Sequence, residues 1–368
     1  MGSSRLNSRD VLDWDESDVR VRPRTKDRPA HKSAIRGRVI TVDRGRWSVV
    51  VAEGTVNERT LVATRARELR RTAIVTGDFV DVVGDTSGKK DTLARIVRLG
   101  ERSCVLRRSA DDTDPTERVV VANANQLVIV VAAANPQPRT GFIDRAVVAA
   151  YDAGIEPILC VTKTDIRHPQ ELLDYYQCSG LRIVLSAASD GRAPSEEGAE
   201  GLTTGPVREL LGDLLGNVSV LLGHSGVGKS TLVNALTGAD RATGHVNSVT
   251  GRGRHTSSSA LALQPASDAG VEVPPGTWII DTPGIRSFGL AHVSMQKVVE
   301  AFPDLAPGAV ECPRGCTHTG DSSGCGITAY VARGEAGPSG ADRLASMRKL
   351  LAAPNQAGDD EKELGSLT

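Results

Sequence analysis

Residues 223–230 read GHSGVGKS, a complete match to G-x-x-x-x-G-K-S, and they lie between an apolar run, VSVLL, and a stretch of helical apolar spacing, STLVNAL. Few features constrain a fold more. A strand must end, the backbone must coil with its N–H groups turned inward, and a helix must start at once. Gly223, Gly226 and Gly228 supply the conformational freedom, while the helix N-terminus adds partial positive charge. The ligand implied is a nucleoside phosphate. The loop as a whole, Gly223, His224, Ser225, Gly226, Val227, Gly228, Lys229, Ser230 and Thr231, is expected around the phosphates. Lys229 is expected on the β- and γ-phosphates and the Ser230 hydroxyl on Mg²⁺. His224 is expected to be structural or a bystander on the phosphate side.

A second segment answers which base. Residues 161–165 are VTKTD, at the end of an apolar strand pattern, EPILCVTKTD. The Asp165 carboxylate can accept from both N1–H and the exocyclic amine of guanine, a paired donor that adenine lacks. The stem of Lys163 can cover the ring, with Thr164 between them. Ser186 and Ala187, in LSAAS after the next strand, can offer backbone N–H to the guanine carbonyl. Thr162 stands where such loops usually carry Asn. It keeps a hydroxyl and lacks the amide, so some loop-bridging hydrogen bonds are expected to be lost or replaced by water, weakening nucleotide affinity. In most GTPases the base-reading segment follows the phosphate loop; here it precedes it, which requires a sheet re-threaded with its base-reading half first.

Further along, TWIID leads into DTPG. Asp281 ends the strand where a carboxylate must face Mg²⁺, and Gly284 can bring its N–H toward the γ-phosphate. Ile285 follows, where a Gln would orient the attacking water; an alkyl chain cannot. The polar stretch TGRGRHTSSS offers substitutes: His255, with Arg252 and Arg254 nearby, to orient the water, and Thr256 to ligate Mg²⁺ and sense the γ-phosphate. His255, Lys229 and Thr256 are thus the candidate catalytic residues. Slow intrinsic hydrolysis is expected, raised when a partner orders these loops.

Around these motifs the chain changes texture. Its 368 residues, 39% hydrophobic and 24% charged, suit two or three domains. Residues 1–34 are charged, contain Pro23 and Pro29, and read as a mobile arm. Residues 35–112 hold five short Val- and Ile-rich runs, which predicts a small closed barrel of the OB type. Residues 115–290 alternate strand and helix patterns, the signature of a parallel sheet flanked by helices. Residues 291–355 form a helical unit and 356–368 an acidic tail.

Charge is unevenly spread. Residues 1–108 carry 24 Lys and Arg against 15 Asp and Glu, a balance of +9, while the remainder carries 20 against 30, a balance of −10. The basic front suits contact with nucleic acid. Arg36, Arg38, Arg44, Arg46, Arg65, Arg67, Arg70, Arg71, Arg95 and Arg98 decorate the predicted barrel, with Trp47 and Phe79 as its aromatics. Leu127–Ala134 is the longest apolar run and is far short of the roughly 20 residues of a membrane span, so a buried strand is expected instead. Of six cysteines, Cys104, Cys160 and Cys178 are isolated, which argues against a disulfide framework and for a reducing cytoplasm.

The other three cysteines cluster. Cys312, Cys316, His318 and Cys325 fall within 14 residues amid Pro313, Gly315, Gly320 and Gly324. Three thiolates and one imidazole make a closed tetrahedral set, and a closed set implies structural Zn²⁺, one per chain. Helical spacing in VSMQKVVEAFPDL and ADRLASMRKLLA is expected to clasp this centre and to offer Arg343, Arg348 and Lys349 to a partner. Because DTPG adjoins this segment, movement of that loop could pass directly to the metal centre.

Taken in order, TKTD, SAA, GHSGVGKS, GRHTS, DTPG and the Cys/His cluster, behind a small β-barrel, resemble the ribosome small subunit-dependent GTPase family, RsgA or YjeQ. The resemblance runs from about residue 35 to 350. It implies a multidomain protein: an OB-fold barrel, a circularly permuted P-loop α/β GTPase and a small α-helical zinc-binding part. It also implies GTP hydrolysis stimulated by the small ribosomal subunit and a role in that subunit's late maturation. The expected partners are the small subunit with its rRNA and GTP or GDP, with no membrane, for a monomer in the cytoplasm. Rival readings are a permuted GTPase acting on the large subunit, a GTP-binding RNA scaffold with little turnover, and, least of all, an ATP-using kinase.

Overall fold

The computed structural model describes residues 31–111, 114–187, 205–238, 260–266, 271–282, 290, 292–320 and 324–352. The expected arm, largely residues 1–30, the acidic tail, and the loops carrying His255, Thr256, Gly284 and Ile285 lie outside them. Ala34–Thr368 clusters as one compact unit.

Five strands form the barrel: β1 (Ile35–Asp43), β2 (Arg46–Val51), β3 (Arg59–Arg65), β4 (Phe79–Gly84) and β5 (Ala94–Leu99). They are ordered β1-β2-β3-β5-β4, and β4 pairs back onto β1, so the sheet closes. Val39, Val49, Val51, Leu61, Val80, Val82 and Ile96 fill the interior. Trp47 joins them and donates its indole N–H to the Ile74 carbonyl at 3.1 Å. Closure is tight at Gly37, where a Cβ would lie 2.6 Å from both Val49 Cγ1 and the Val50 carbonyl oxygen.

A hairpin of β6 (Val105–Asp111) and β7 (Asp114–Ala122) follows, a feature the sequence reading did not single out. It leads into the central sheet, whose strands are β8 (Gln126–Ala132), β9 (Glu156–Thr162), β10 (Arg182–Leu185), β11 (Val218–Leu222), β12 (Leu261–Leu263) and β13 (Trp278–Asp281). Their order is β10-β9-β8-β11-β13-β12, parallel except for β12. Strand β11, which enters the phosphate loop, therefore lies mid-sheet beside β8, although β8, β9 and β10 come first in the chain. That is the re-threaded order the motifs require.

Helices cover both faces: α1 (Thr140–Asp152), α2 (Gln170–Tyr176), α3 (Pro206–Leu214) and α4 (Lys229–Thr237). Strand β8 is buried throughout and its side chains alternate between two cores. Val128, Val130 and Ala132 join α3 and α4 through Val207, Leu211, Leu232 and Leu236. Leu127, Ile129 and Val131 join α1 through Ile143, Ala146 and Ala150.

This second core continues into the C-terminal helices α5 (Met295–Glu300), α6 (Gly326–Ala332) and α7 (Gly340–Ala352). Val298, Phe302, Leu305, Ile327, Leu344, Met347 and Leu350 all belong to it. Helix α1 is consequently enclosed, with every residue from Phe142 to Ala150 buried, as expected of a helix apolar on most of its circumference. Among the described residues no helix is long and apolar enough to cross a membrane.

Candidate nucleotide site and metal centre

The phosphate loop has the backbone its glycines predict. Gly226 and Gly228 have φ of +82° and +88°, and Gly228 opens α4 from the left-handed region. Gly223 is required for a different reason: a Cβ there would sit 2.6 Å from the Val130 carbonyl oxygen of β8. Ser225, Ser230 and Thr231 are exposed, and Val227 is buried beneath the loop. The His224 ring packs against Phe142 of α1, tilted by 56° with ring centroids 4.2 Å apart.

Behind the loop, Lys229 Nζ lies 2.5 Å from Asp281 Oδ1 and donates to the Thr282 carbonyl at 3.2 Å. Both partners are largely buried, so the cation and the carboxylate share one recess. Thr282 was not foreseen as a site residue. Its hydroxyl donates to the Leu221 carbonyl at 2.6 Å and pins the start of the DTPG turn to β11.

The base-reading loop is brought against the phosphate loop, and Thr162 does part of the joining. Its buried hydroxyl lies 2.5 Å from the Val227 carbonyl oxygen and 3.1 Å from that of Val131. The hydroxyl that Thr162 keeps thus links β9 to the phosphate loop and to β8. A single hydroxyl proton divides between two acceptors, and the missing amide is partly replaced by the short reach of the side chain.

Lys163 adds a second tie. Its ammonium donates to the carbonyls of Asn135 and Gly226, the latter at 2.7 Å. The residue has φ of +57°, a conformation uncommon outside glycine and held here by those anchors. Thr164 N–H reaches the Ser186 carbonyl at 3.2 Å, and Ser186 N–H reaches the Val161 carbonyl at 2.7 Å, so the TKTD and SAA segments are neighbours. Asp165 is exposed, while Ser186 is buried and Ala187 half-buried.

The Cys/His group assembles as well. The ligand atoms of Cys312, Cys316, His318 and Cys325 all lie within 4.8 Å of one another. From His318 Nδ1 the three sulfurs are 3.5, 3.6 and 3.9 Å away. A tetrahedron built with usual Zn–S and Zn–N bonds has an S···N edge of about 3.5 Å, so the donor set and spacing fit such an ion. Burial opposes ionisation of Cys325, but donors from Thr328 and contacts with His318 and Cys316 outweigh it and bring the thiol down to about 6. Burial pushes the Cys312 thiol up, although the Gly326 N–H donates to its sulfur at 3.2 Å.

Two expected partner-facing arginines are turned inward. Arg348 donates from Nε to the His318 carbonyl at 3.0 Å and from Nη2 to Thr328 Oγ1 at 2.7 Å, supporting the metal group from α7. Arg343 has a side chain only 3% exposed, and it holds Asp304 with two bonds of 2.6 and 2.9 Å and Asp144 of α1 with one of 3.0 Å. Lys349 is exposed as expected. Asp144 also accepts from Tyr175, Tyr176 and Ser346 at 3.0, 2.9 and 2.5 Å. Burial raises the Asp144 carboxyl, with Arg343 pulling the other way. Sequence spacing could not disclose this network, because its members come from four separate segments.

On the barrel, Arg36, Arg44, Arg46, Arg67, Arg70, Arg71, Arg95 and Arg98 are exposed and Arg65 is half-buried. Arg38 departs from the expected surface role. It is 8% exposed, lies over the Phe79 ring at 4.5 Å and pairs with Glu53 at 3.3 Å.

Comparison with known proteins agrees with this geometry. Residues 99–291 match the family model of the RsgA GTPase. "Small ribosomal subunit biogenesis GTPase RsgA" of Pseudomonas aeruginosa is 35% identical over 289 residues, which is 76% of each chain. The protein of the same name from Chlorobaculum tepidum is 31% identical over 87% of this chain and 98% of its own, and that of Streptomyces avermitilis 33% over 86% and 78%. Among solved structures, YjeQ from Thermotoga maritima superposes with a TM-score of 0.60 at 23% identity, covering 87% of this chain and 99% of its own. YloQ, described as a circularly permuted GTPase, gives 0.57 at 20% identity over 88% and 97%. With its TKTD loop preceding the phosphate loop in the chain and hydrogen-bonded to it in the fold, the chain belongs to the RsgA family of GTPases.

Proposed function

We propose that this chain hydrolyses GTP while bound to the small ribosomal subunit and assists that subunit's late maturation. One observation carries the nucleotide half of the reading: Thr162 and Lys163 tie the TKTD loop to Val227 and Gly226 of the phosphate loop, so base and phosphates would be addressed by two loops bonded to each other. The subunit is named in the shared description of relatives 31–35% identical to the chain.

In this reading Asp165 accepts from the guanine edge and the Lys163 stem lies beside the ring; the Ala187 amide faces the guanine carbonyl, whereas the Ser186 N–H, expected to do the same, is taken up by the Val161 carbonyl. Amides of residues 223–231 surround the phosphates, and Lys229 leaves Asp281 to neutralise charge developing on the transferred group. Ser230, Thr256 and Asp281 are the residues that would hold Mg²⁺, which would supply charge neutralisation at the phosphates. Gly284 approaches the γ-phosphate and His255 orients the water, because Ile285 cannot.

Cys312, Cys316, His318 and Cys325 hold structural Zn²⁺, and the exposed barrel arginines meet rRNA phosphates. The working divisions are 35–112, 115–290 and 291–355, between an arm and an acidic tail, in a cytoplasmic monomer. GTP turnover measured alone and with each purified ribosomal subunit tests the proposal. Stimulation by the small subunit, lost in His255→Ala, is expected; equal turnover in all three conditions, or stimulation by the large subunit instead, overturns it.

A further inference from the structure

Helix α1 touches the phosphate loop at one end and the metal-bearing C-terminal segment along another face. Toward the nucleotide, the Phe142 ring lies against His224. Just before the helix, the Asn135 carbonyl shares the Lys163 ammonium with the Gly226 carbonyl. Toward the C-terminus, Asp144 is held by Arg343 and Ser346 of α7. The far end is also tethered, since Asp152 pairs with Lys297 at 2.8 Å and lies 3.0 Å from His292. Helix α7 then reaches the metal group directly, through Arg348 on the His318 carbonyl.

We propose that metal occupancy of the Cys312, Cys316, His318 and Cys325 group sets how fast guanine nucleotide leaves the phosphate loop, through a train of positioning residues: Arg348, Arg343, Asp144 and Phe142. The route rests on the nucleotide reading given above, and the four residues of the train are themselves buried or half-buried. Its physical basis is that α1 is closed in on all sides. A rotation of α7 that moves Arg343 must either strand the Asp144 carboxylate, which is costly for a buried charge, or carry α1 with it. Moving α1 shifts Phe142 under His224 and loosens the Lys163 clamp. His318 is the sensitive end, because its backbone sits at φ of +59° and its carbonyl accepts from Arg348.

The test uses the full chain and methylanthraniloyl-GDP, whose release is followed by stopped flow before and after zinc removal by a chelator. Metal content is checked by atomic absorption and folding by circular dichroism. In the unaltered chain, zinc removal is expected to accelerate release by about 10-fold, within the range usual for coupled sites. Because coupling is reciprocal, GDP should slow zinc transfer to the chelator, a readout that a purely structural role would leave unmoved.

Asp144→Asn and Arg348→Met, each still folded and zinc-loaded, should show release that no longer depends on zinc. Should one of them fail to fold, the other carries the test. Release indifferent to zinc in the unaltered chain, or variants as zinc-sensitive as the unaltered chain, would overturn the coupling. If ADP displaced the probe as well as GDP does, the guanine reading would fail while release of the probe would still report the coupling.

Discussion

The barrel and the C-terminal helices flank the same central sheet but are attached to it by different physics. The barrel keeps its own core and meets the sheet at an edge, where β1 pairs β12 at Thr41 and Leu261. Polar links supplement this: Thr76 donates to the Ala260 carbonyl at 2.9 Å, and Trp278 Nε1 donates to Glu53 at 2.5 Å. Of the buried barrel-strand residues, Val50 alone joins the larger core. Among the described residues the C-terminal helices have no core apart from that one, and a buried Arg343 fastens them to α1. An edge contact can tolerate adjustment without disturbing the sheet, whereas a shared core transmits any shift. The proposed contact of the barrel with rRNA and the proposed coupling of the Cys/His group to the phosphate loop would need those two kinds of joint.

The contrast breaks most readily at Arg343. Arg343→Ala leaves Asp144 and Asp304 buried without their cation and should cost about 3–5 kcal/mol, seen as a lower urea midpoint for the sheet and the C-terminal helices together. Phe302→Ala, in the shared core, should cost about 3–5 kcal/mol as well, at the smaller end if the cavity collapses. On the barrel side, Glu53→Ala removes the partners of Arg38 and Trp278 and should cost about 1–3 kcal/mol, with GDP release unchanged. If Glu53→Ala instead accelerated GDP release, the barrel joint would be as coupled as the other. The smallest effect belongs to Thr162→Ala. Losing one hydroxyl between two carbonyls should cost about 1 kcal/mol, read as a roughly fivefold weaker GDP affinity by fluorescence titration.

What could be read from the chain, and what could not, follows from the reach of each interaction. The phosphate loop, TKTD and the Cys/His cluster each lie within a short stretch, so residue type and spacing nearly determine their backbone. Barrel and sheet were likewise visible, because strand patterns are local. Arg343 was misread as a surface residue because its partner Asp144 stands 199 positions away, and one-dimensional periodicity carries no information about such a pairing. Arg38 failed for a related reason, its partner Glu53 lying in the turn after β2, beside it only once the barrel has closed. Thr162 looked like a defect when compared by residue type. Its hydroxyl finds acceptors 31 and 65 positions away, which only the fold brings within reach.

The enclosure of α1 has a further consequence for solvent access to its backbone. With sheet on one side and C-terminal helices on the other, the amides of Phe142–Ala150 have no shallow opening through which to meet water. In deuterium labelling they should be among the last in the molecule to exchange, at rates set by global opening, while the exposed first turn of α4 exchanges early. A helix assigned neither a metal ligand nor a phosphate ligand would then be among the most slowly labelled parts of the protein.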